Sequence, residues 1–376
     1  MINLTDELKC TGCAGCAAAC PTGAITMEFG REGFLVPVIS RDACISCKKC
    51  LSVCPVEHFP QRVEPLVYGA RAKDEEILRL SSSGGVFSLL ARLTLERAGT
   101  VCGAGFDADF SVVHKFVDKA EDIPQLTGSK YVQSRIGDSF KRIREELDLG
   151  RQVMFVGTPC QCAGLKAFLG KEYKNLLVVD FVCHGVPSPK HYKKYLQEIS
   201  GGKEIAKVNF RCKLKDSGGY EMGLDFADST VYRSKVAKDP YMMAFAQDIS
   251  LRASCYGCFS KDLHSVADLT LGDFWGIDET NSPLAEKPGV SLVLINTERG
   301  KAAFDSISSS LETDCRKLEE AVKKNPCLCA SVKKNPLREK FLRDMDRLEI
   351  NKLTEKYCGS SYAAKLRRLI AKLRAR

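Results

Sequence analysis

The sequence predicts a two-part α+β and α/β protein: a small cysteine-rich head, a larger mixed α/β body, and a basic helical tail. Three observations predict it. Eight of the nineteen cysteines fall within the first sixty residues, in two copies of one spacing. From about residue 66, short apolar runs alternate with amphipathic stretches of helical period, as in a sheet covered by helices. Residues 331–376 hold fourteen Lys and Arg against five Asp and Glu, a surplus equal to the net charge of the whole chain, +9. The expected divisions are 1–60, 66–350 and 351–376.

In the head, Cys10, Cys13, Cys16 and Cys20 precede Pro21, and Cys44, Cys47, Cys50 and Cys54 precede Pro55. Each copy reads C-x2-C-x2-C-x3-C-P, the run of bacterial two-cluster ferredoxins, in which the fourth cysteine serves the other cluster. That rule assigns Cys10, Cys13, Cys16 and Cys54 to one 4Fe-4S cluster and Cys44, Cys47, Cys50 and Cys20 to its mate. A zinc site or a disulfide framework is the competing reading of any cysteine-rich stretch. Zinc takes its ligands in pairs and explains neither the tripled spacing nor the two prolines. Two such clusters pass single electrons.

At 376 residues the chain is too long for a ferredoxin alone and has room for one or two further cores. No apolar run approaches the roughly 18 residues of a membrane span, and Met1-Ile2-Asn3-Leu4 lacks the regions of a signal peptide. A cytoplasmic location is expected, and there so many cysteines point to metal and redox chemistry. Outside the basic end the chain is balanced, with 42 charges of each sign. A nucleic-acid enzyme would carry its positive stripe across the working face, so no nucleic-acid partner is expected.

After Pro55, the prolines at 60 and 65 mark a linker. The clearest strands are 153–156, 176–182 and 290–295, with weaker ones near 207–214 and 222–226. Helical period predicts helices over 86–98, 136–147, 162–169, 190–199 and 301–311. The alternation argues for a largely parallel or mixed sheet.

Several loops carry candidate chemistry. Ser81-Ser82-Ser83-Gly84-Gly85 precedes a helix, where free N–H groups and close backbone approach suit a phosphate, though the same residues make an ordinary N-cap. Gly128-Ser129-Lys130-Tyr131-Val132-Gln133-Ser134 could position a flavin or form a surface turn. Strand 153–156 runs into Gly157-Thr158-Pro159-Cys160, and strand 176–182 into Cys183-His184-Gly185, the strand ends where α/β sheets gather ligands. Cys255-x2-Cys258 alone reads as zinc, redox or chance. Together, Cys160, Cys183, Cys255 and Cys258 form a candidate third 4Fe-4S site; the alternative is that Cys160 and Cys183 are small buried hydrophobes. His184 and Lys130 are the candidate catalytic residues, His184 by proton transfer or a hydrogen bond to a cofactor. A structural hydrogen bond is the competing role for His184. Trp275 reads as a shield over cofactors or as core. Cys102, Cys162, Cys212, Cys315, Cys327, Cys329 and Cys358 lack ligand spacing and read as structural or incidental.

Taken in order, residues 82–85, 128–134, 157–161, Cys183-His184-Gly185-Val186-Pro187-Ser188, Cys255-x2-Cys258 and Gly272-Asp273-Phe274-Trp275-Gly276 resemble the family of coenzyme F420 hydrogenase/dehydrogenase beta subunits over roughly 66–300. The resemblance implies a flavoprotein body with FAD beside a 4Fe-4S cluster. It implies Ser83, Gly84, Gly85, Ser129, Lys130, Tyr131 and Thr158 as flavin contacts, and the four body cysteines above as cluster ligands. It implies a redox partner protein or ferredoxin and a small-molecule hydride donor or acceptor. The substrate is left open between an F420-like deazaflavin and another acceptor, including one in polysaccharide biosynthesis. The alternative is an electron-transfer subunit of a larger redox complex, with no substrate of its own.

In the tail, Leu366, Leu369, Ile370 and Leu373 share a helical face, with Lys365, Arg367, Arg368, Lys372, Arg374 and Arg376 elsewhere. Such a helix lies peripherally on an anionic membrane or packs on its own domain.

Overall fold

A computed structural model describes residues 8–58, 61–213 and 219–360. In the head, strands β1 (Ile25–Phe29) and β2 (Leu35–Ile39) form an antiparallel hairpin. The short helices Gly15–Ala19 and Lys49–Ser52 each hold the third cysteine of a run, Cys16 and Cys50. Each starts on a left-handed residue, Ala14 (φ 64°) and Lys48 (φ 62°), so the sequence repeat is also a repeat of backbone conformation.

The body contributes β3 (Leu66–Ala72), β4 (Thr100–Phe106), β5 (Val112–Val117), β6 (Val153–Gly157), β7 (Leu176–Phe181), β8 (Ile205–Lys213), β9 (Tyr220–Phe226), β10 (Val231–Lys235), β11 (Leu269–Asp273), β12 (Ser291–Ile295) and β13 (Leu311–Arg316). Eight of these form one mixed sheet in the order β13-β3-β12-β11-β7-β6-β4-β5, and β10-β9-β8 form a separate antiparallel sheet. Strands β4, β6, β7 and β11 are parallel, while β12 runs against both β11 and β3. The carboxyl ends of β3, β4, β6, β7 and β11 therefore share one edge. That edge is the ligand-gathering side of an open α/β sheet.

Alternating residues explain how the sheet is covered. Met154, Val179, Leu269 and Val293 pack with the helices Val86–Glu96 and Glu298–Ile307. Their neighbours Val153, Phe155, Leu176 and Val178 pack with Ser139–Asp148 and Pro159–Leu169 on the other face. Both faces of β6 and β7 are thus covered, which is why these strands read as unbroken apolar runs. The small sheet packs with Pro189–Ser200, Pro240–Ala246, Arg338–Asp344 and Ile350–Cys358.

The structure moves several expected boundaries, each for a local reason. The helix expected from Cys162 starts at Pro159, because Thr158 caps it, proline takes the first position and Gln161 closes a capping box. Cys160 accordingly sits in a first helical turn and not in the loop. The helix expected from Lys190 likewise starts at Pro189 behind the Ser188 cap. The helix expected over 301–311 occupies Glu298–Ile307 behind Thr297, and Leu311 opens β13. The expected linker is docked on the body: Val63 N–H donates to the Leu263 carbonyl at 3.0 Å, and Arg62 bridges His264. The amphipathic tail over 361–376 lies outside the described residues.

Head and body share a core. Ala14, Ala18, Ala19 and Met27 of the head belong to the apolar cluster of Cys162 and Leu165. Glu32 in the β1–β2 turn takes both terminal nitrogens of Arg338, at 2.8 and 2.5 Å, and Arg338 is 1% exposed. A Cβ on Gly164 would lie 2.8 Å from the Cβ and Sγ of Cys13, so a hydrogen at position 164 lets the first cysteine run touch the body. Gly164→Val should cost about 1–3 kcal/mol of stability through overpacking. Anaerobic urea denaturation checks this, and a wild-type midpoint would show that the contact yields freely.

Candidate functional site

At the carboxyl edge of the large sheet lies a cavity of about 710 Å³, within the roughly 300–1,000 Å³ of ordinary ligand sites. Its wall combines the turn 81–85, the loop 127–134, the ends of β6, β7 and β11, the 255–258 turn and the segment 324–327. The residues of the sequence motifs thus meet although they are spread along the chain from Ser81 to Trp275.

The serine-glycine turn is tied on both sides. Ser83 Oγ donates toward the carbonyls of Gly272 and Val290, at 3.4 and 3.2 Å, while Ser129 N–H donates to Ser82 Oγ at 2.8 Å. Ser83, Gly85 and Ser129 line the cavity at the start of the helix Val86–Glu96. Gly84 is not on that wall: its N–H donates to Ser291 Oγ at 2.8 Å, and a Cβ there would strike the Ala70 carbonyl. Close packing against β3 and β12 requires a glycine here. Tyr131 stacks on Phe245 at a centroid distance of 4.8 Å, and its carbonyl accepts from Tyr241 at 2.6 Å. Thr158 hydrogen bonds Gln161 Oε1 and stands 3.1 Å from Cys160 Sγ.

Lys130 ties its own loop together. Its ammonium donates to the carbonyls of Leu126, Thr127 and Gly128, at 3.2, 2.8 and 3.1 Å. Burial pulls its pKa down to about 7, while the three oxygens favour the charged form. All three protons are engaged, so in this geometry Lys130 fastens its own loop.

The thiols fall into three groups. Cys20, Cys44, Cys47 and Cys50 line one small hollow in the head. Cys16 lies within electrostatic reach of Cys10 and Cys54, and Cys13 of Cys10 and Cys16. Cys160, Cys183, Cys255 and Cys258 all face the large cavity, and Cys160 and Cys183 each lie within reach of both members of the 255–258 pair. Parallel pairing of Gly157 with Asp180 puts the first two side by side. Cys13 in turn lies within reach of Cys160, joining the head's thiols to those of the body. Burial pushes Cys160 up to about 12, Cys255 up to about 11 and Cys183 well above its ordinary value. Such thiols ionise when metal charge is supplied. Among the described residues no three His, Cys, Asp or Glu side chains are close enough for a single ion. A cubane, which gives each thiolate its own iron, accepts a wider set.

His184 is held between two side chains. Its Nε2 lies 2.5 Å from Asp248 Oδ1 and its Nδ1 3.5 Å from Cys327 Sγ. The hydrogen bond to Asp248 and then that to Cys327 raise the imidazole to about 9, and contact with His184 lowers the Cys327 thiol. Cys327 thus lines the site and is not incidental. Asp248 and Cys327 are 64 and 143 residues from His184, so no local spacing could reveal either. Trp275 is 51% exposed and lines the cavity, which overturns its reading as core.

Two further residues escaped the sequence reading. Arg252, 3% exposed, donates from Nε to the Cys10 carbonyl at 2.7 Å, and from its terminal nitrogens to the Leu35 carbonyl and Gln133 Oε1, each at 2.9 Å. Gln133 in turn donates to the Thr11 carbonyl at 2.9 Å. One buried guanidinium, three residues before Cys255, therefore grips the head beside its first cysteine, Cys10. On β7, Asp180 is 1% exposed; its Oδ2 accepts from Ser265 at 2.9 Å and its Oδ1 has no partner.

Arg252→Met would leave three acceptors without their charged donor, each such bond being worth about 1.5–3 kcal/mol. The urea midpoint should fall substantially, and an unchanged midpoint would remove Arg252 as the clasp. For Asp180, burial raises the carboxyl to about 7, so the folded chain holds a proton that the unfolded chain releases above about 3.9. Its contribution to stability therefore declines as pH rises from about 4 to 7, by up to about 1.4 kcal/mol per unit. Urea titrations at pH 5.5 and 7.5 should show a less negative pH slope for Asp180→Asn than for wild type; equal slopes would contradict the assignment.

Comparison with known proteins adds the following. Residues 150–321 match the family model for the carboxyl-terminal part of the beta subunit of coenzyme F420 hydrogenase/dehydrogenase, and residues 9–58 match the 4Fe-4S dicluster domain. The F(420)H(2) dehydrogenase subunit designated F, from Methanosarcina mazei, is 26% identical over 81% of this chain and 83% of its own length. The coenzyme F420-dependent sulfite reductase of Methanocaldococcus jannaschii is 22% identical over 85% of this chain, which spans about half (49%) of that relative. A chain of the F420-reducing NiFe hydrogenase complex from Methanosarcina barkeri aligns over 72% of this chain and 92% of its own, at 19% identity and a TM-score of 0.47. The chain is an iron-sulfur protein that joins a 4Fe-4S dicluster head to a body whose residues 150–321 match the carboxyl-terminal domain of coenzyme F420 hydrogenase/dehydrogenase beta subunits.

Proposed function

We propose that this chain is an FAD-dependent iron-sulfur oxidoreductase that carries electrons between the head clusters and an organic hydride donor or acceptor through a third 4Fe-4S cluster. The observation that carries the reading is the meeting of four half-buried thiols, from three separate segments, on one cavity within reach of Cys13. The donor set is all sulfur, which suits an iron-sulfur cluster. Cys160, Cys183, Cys255 and Cys258 would hold it. The cavity has the size of a ligand site and presents Ser83, Gly85 and Ser129 at a helix start, where an anion is favoured. FAD bound there would supply the coupling between one-electron and two-electron chemistry that clusters alone lack.

The chain's own residues would do the rest. Arg252 holds the head's first cysteine run against the body, and Gly164 permits the contact. The stacked rings of Tyr131 and Phe245 offer an apolar wall. His184, fixed by Asp248, presents Nδ1 to the thiol of Cys327 and is the side chain best placed to hold a proton at the cavity. Trp275 at the wall limits the access of water. On the head, Cys47 and Ile45 are exposed beside the second cysteine group, a suitable approach for a redox partner protein.

The M. mazei relative is by its name one subunit of a dehydrogenase. That favours, as a second reading, an electron-transfer subunit without a substrate of its own. No helix among the described residues is long and apolar enough to cross a membrane.

Anaerobic purification followed by iron, sulfide and flavin analysis tests the composition. About twelve irons and one FAD per chain are expected from three cubanes; about eight irons would return the body cysteines to a structural role. Cys258→Ser should lower the iron content by about four while the head retains its share. For activity, the dithionite-reduced chain is offered oxidised F420 and other hydride acceptors, and the oxidised chain is offered reduced F420 as a donor. Substrate-dependent reoxidation supports the enzyme, and reduction with no reoxidation by any carrier supports the wiring subunit.

A further inference from the structure

Arg211, near the end of β8, is the one cavity-lining cation among the described residues that keeps a buried nitrogen without a partner. Its side chain is 8% exposed; one terminal nitrogen meets Asp273 Oδ2 at 2.7 Å, while the other has no hydrogen-bond partner. The guanidinium lies over the ring of Tyr220 at 4.1 Å, which fixes its plane. The remaining cations on the wall are engaged: Lys130 and Lys261 by backbone carbonyls, Arg252 by the head and Gln133, and Lys324 by Glu279. Arg211 keeps its charge at any physiological pH. A buried guanidinium nitrogen left unpaired is costly unless something completes it. Asp273 takes only one nitrogen, so the paired-donor geometry suited to a phosphate or carboxylate is half used. Lys213, two residues on, donates to the Leu78 carbonyl at 2.8 Å, so this end of β8 is fixed to the segment leading into the serine-glycine turn.

We propose that Arg211 is an anion anchor: it receives a phosphate or carboxylate group of the molecule bound in the cavity, with the Trp275 indole against that molecule's apolar part. The proposal rests on the reading of the cavity as a flavin and substrate site. The anionic group belongs either to the flavin's diphosphate or to the organic substrate.

The test compares the anaerobically purified full chain with Arg211→Gln, Arg211→Lys and Asp273→Asn. Inorganic pyrophosphate and glutarate are titrated by calorimetry, with the fluorescence of Trp275, the only tryptophan of the chain, as a second signal. FAD and riboflavin retention and iron content are measured alongside. Wild type should bind at least one of the two anions or retain FAD over riboflavin. Arg211→Gln should weaken that binding or preference by about tenfold or more, and Arg211→Lys should restore it only in part, since one charge-assisted pair is lost. Asp273→Asn, which removes the competing carboxylate, should tighten it.

If the flavin supplies the anion, Arg211→Gln loses its preference for FAD over riboflavin. If the substrate supplies it, FAD content is unchanged and only the added anion is lost. Should Arg211→Gln fail to fold, tightening in Asp273→Asn supports the anchor and unchanged binding overturns it. Anion binding and FAD retention identical in all folded variants, or absent in wild type, overturn the anchor. Loaded flavin and about twelve irons in that case would leave the proposed function standing. Arg211-dependent anion binding without flavin would do the reverse.

Discussion

The structure depends on the joint between the head and the mouth of the sheet, and Arg252 is at its centre. A guanidinium is planar and always charged, and here it is almost wholly buried, so its hydrogens must be met by fixed acceptors. Two of them are carbonyls of the head and one is the side chain of Gln133. Backbone carbonyls move only with the chain, so the arrangement fixes the cysteine run and the 255–258 turn relative to one another. The Glu32–Arg338 pair and the contact of Gly164 with Cys13 act on the same joint from other sides. A head tethered by a flexible linker would vary its distance from the body, and electron passage falls steeply with distance. The docked linker and the shared apolar cluster exclude that freedom.

What the sequence made legible was local or fully covered. The cysteine repeat is visible because ligands two residues apart must sit on one turn of chain, and that turn recurs with the same backbone conformation. Strands β6 and β7 are visible because both of their faces are buried. Strands β3 and β4 were missed: each carries glycines and small residues at places where helices and turns approach closely, so neither shows a clean apolar run. The helix expected over 301–311 overran only the first residue of β13, because Leu311 continues the preceding helical period, and the rest of that strand carried no expectation. The early helix starts follow from Thr158, Ser188 and Thr297, whose capping role depends on where the preceding chain turns.

The site shows the same division. Cys160, Cys183, Cys255 and Cys258 could be named because each stands at a strand end or in a paired spacing. Arg211, Asp248, Arg252 and Cys327 could not, since each matters through a partner far along the chain. Lys130 shows the converse: the sequence marks a cation in a glycine-led loop, and only the structure shows that its protons close the loop itself. Charge type alone does not say whether a group is available. Its hydrogen-bond partners do.

The two thiol systems also differ in when they can form. The head's ligands lie within about fifty residues, and because Cys20 and Cys54 serve opposite groups by the ferredoxin rule, the two runs must fold together. The body's four thiols span 98 positions, from 160 to 258, and meet only when β6 and β7 pair and the 255–258 turn closes over them. The hydrogen bond from Arg252 N–H to the Val186 carbonyl, at 2.9 Å, joins that turn to the cysteine-histidine loop. The side chain of the same arginine holds the head. Closure of the body's thiol set and docking of the head therefore share one residue, and neither geometry is complete without the other.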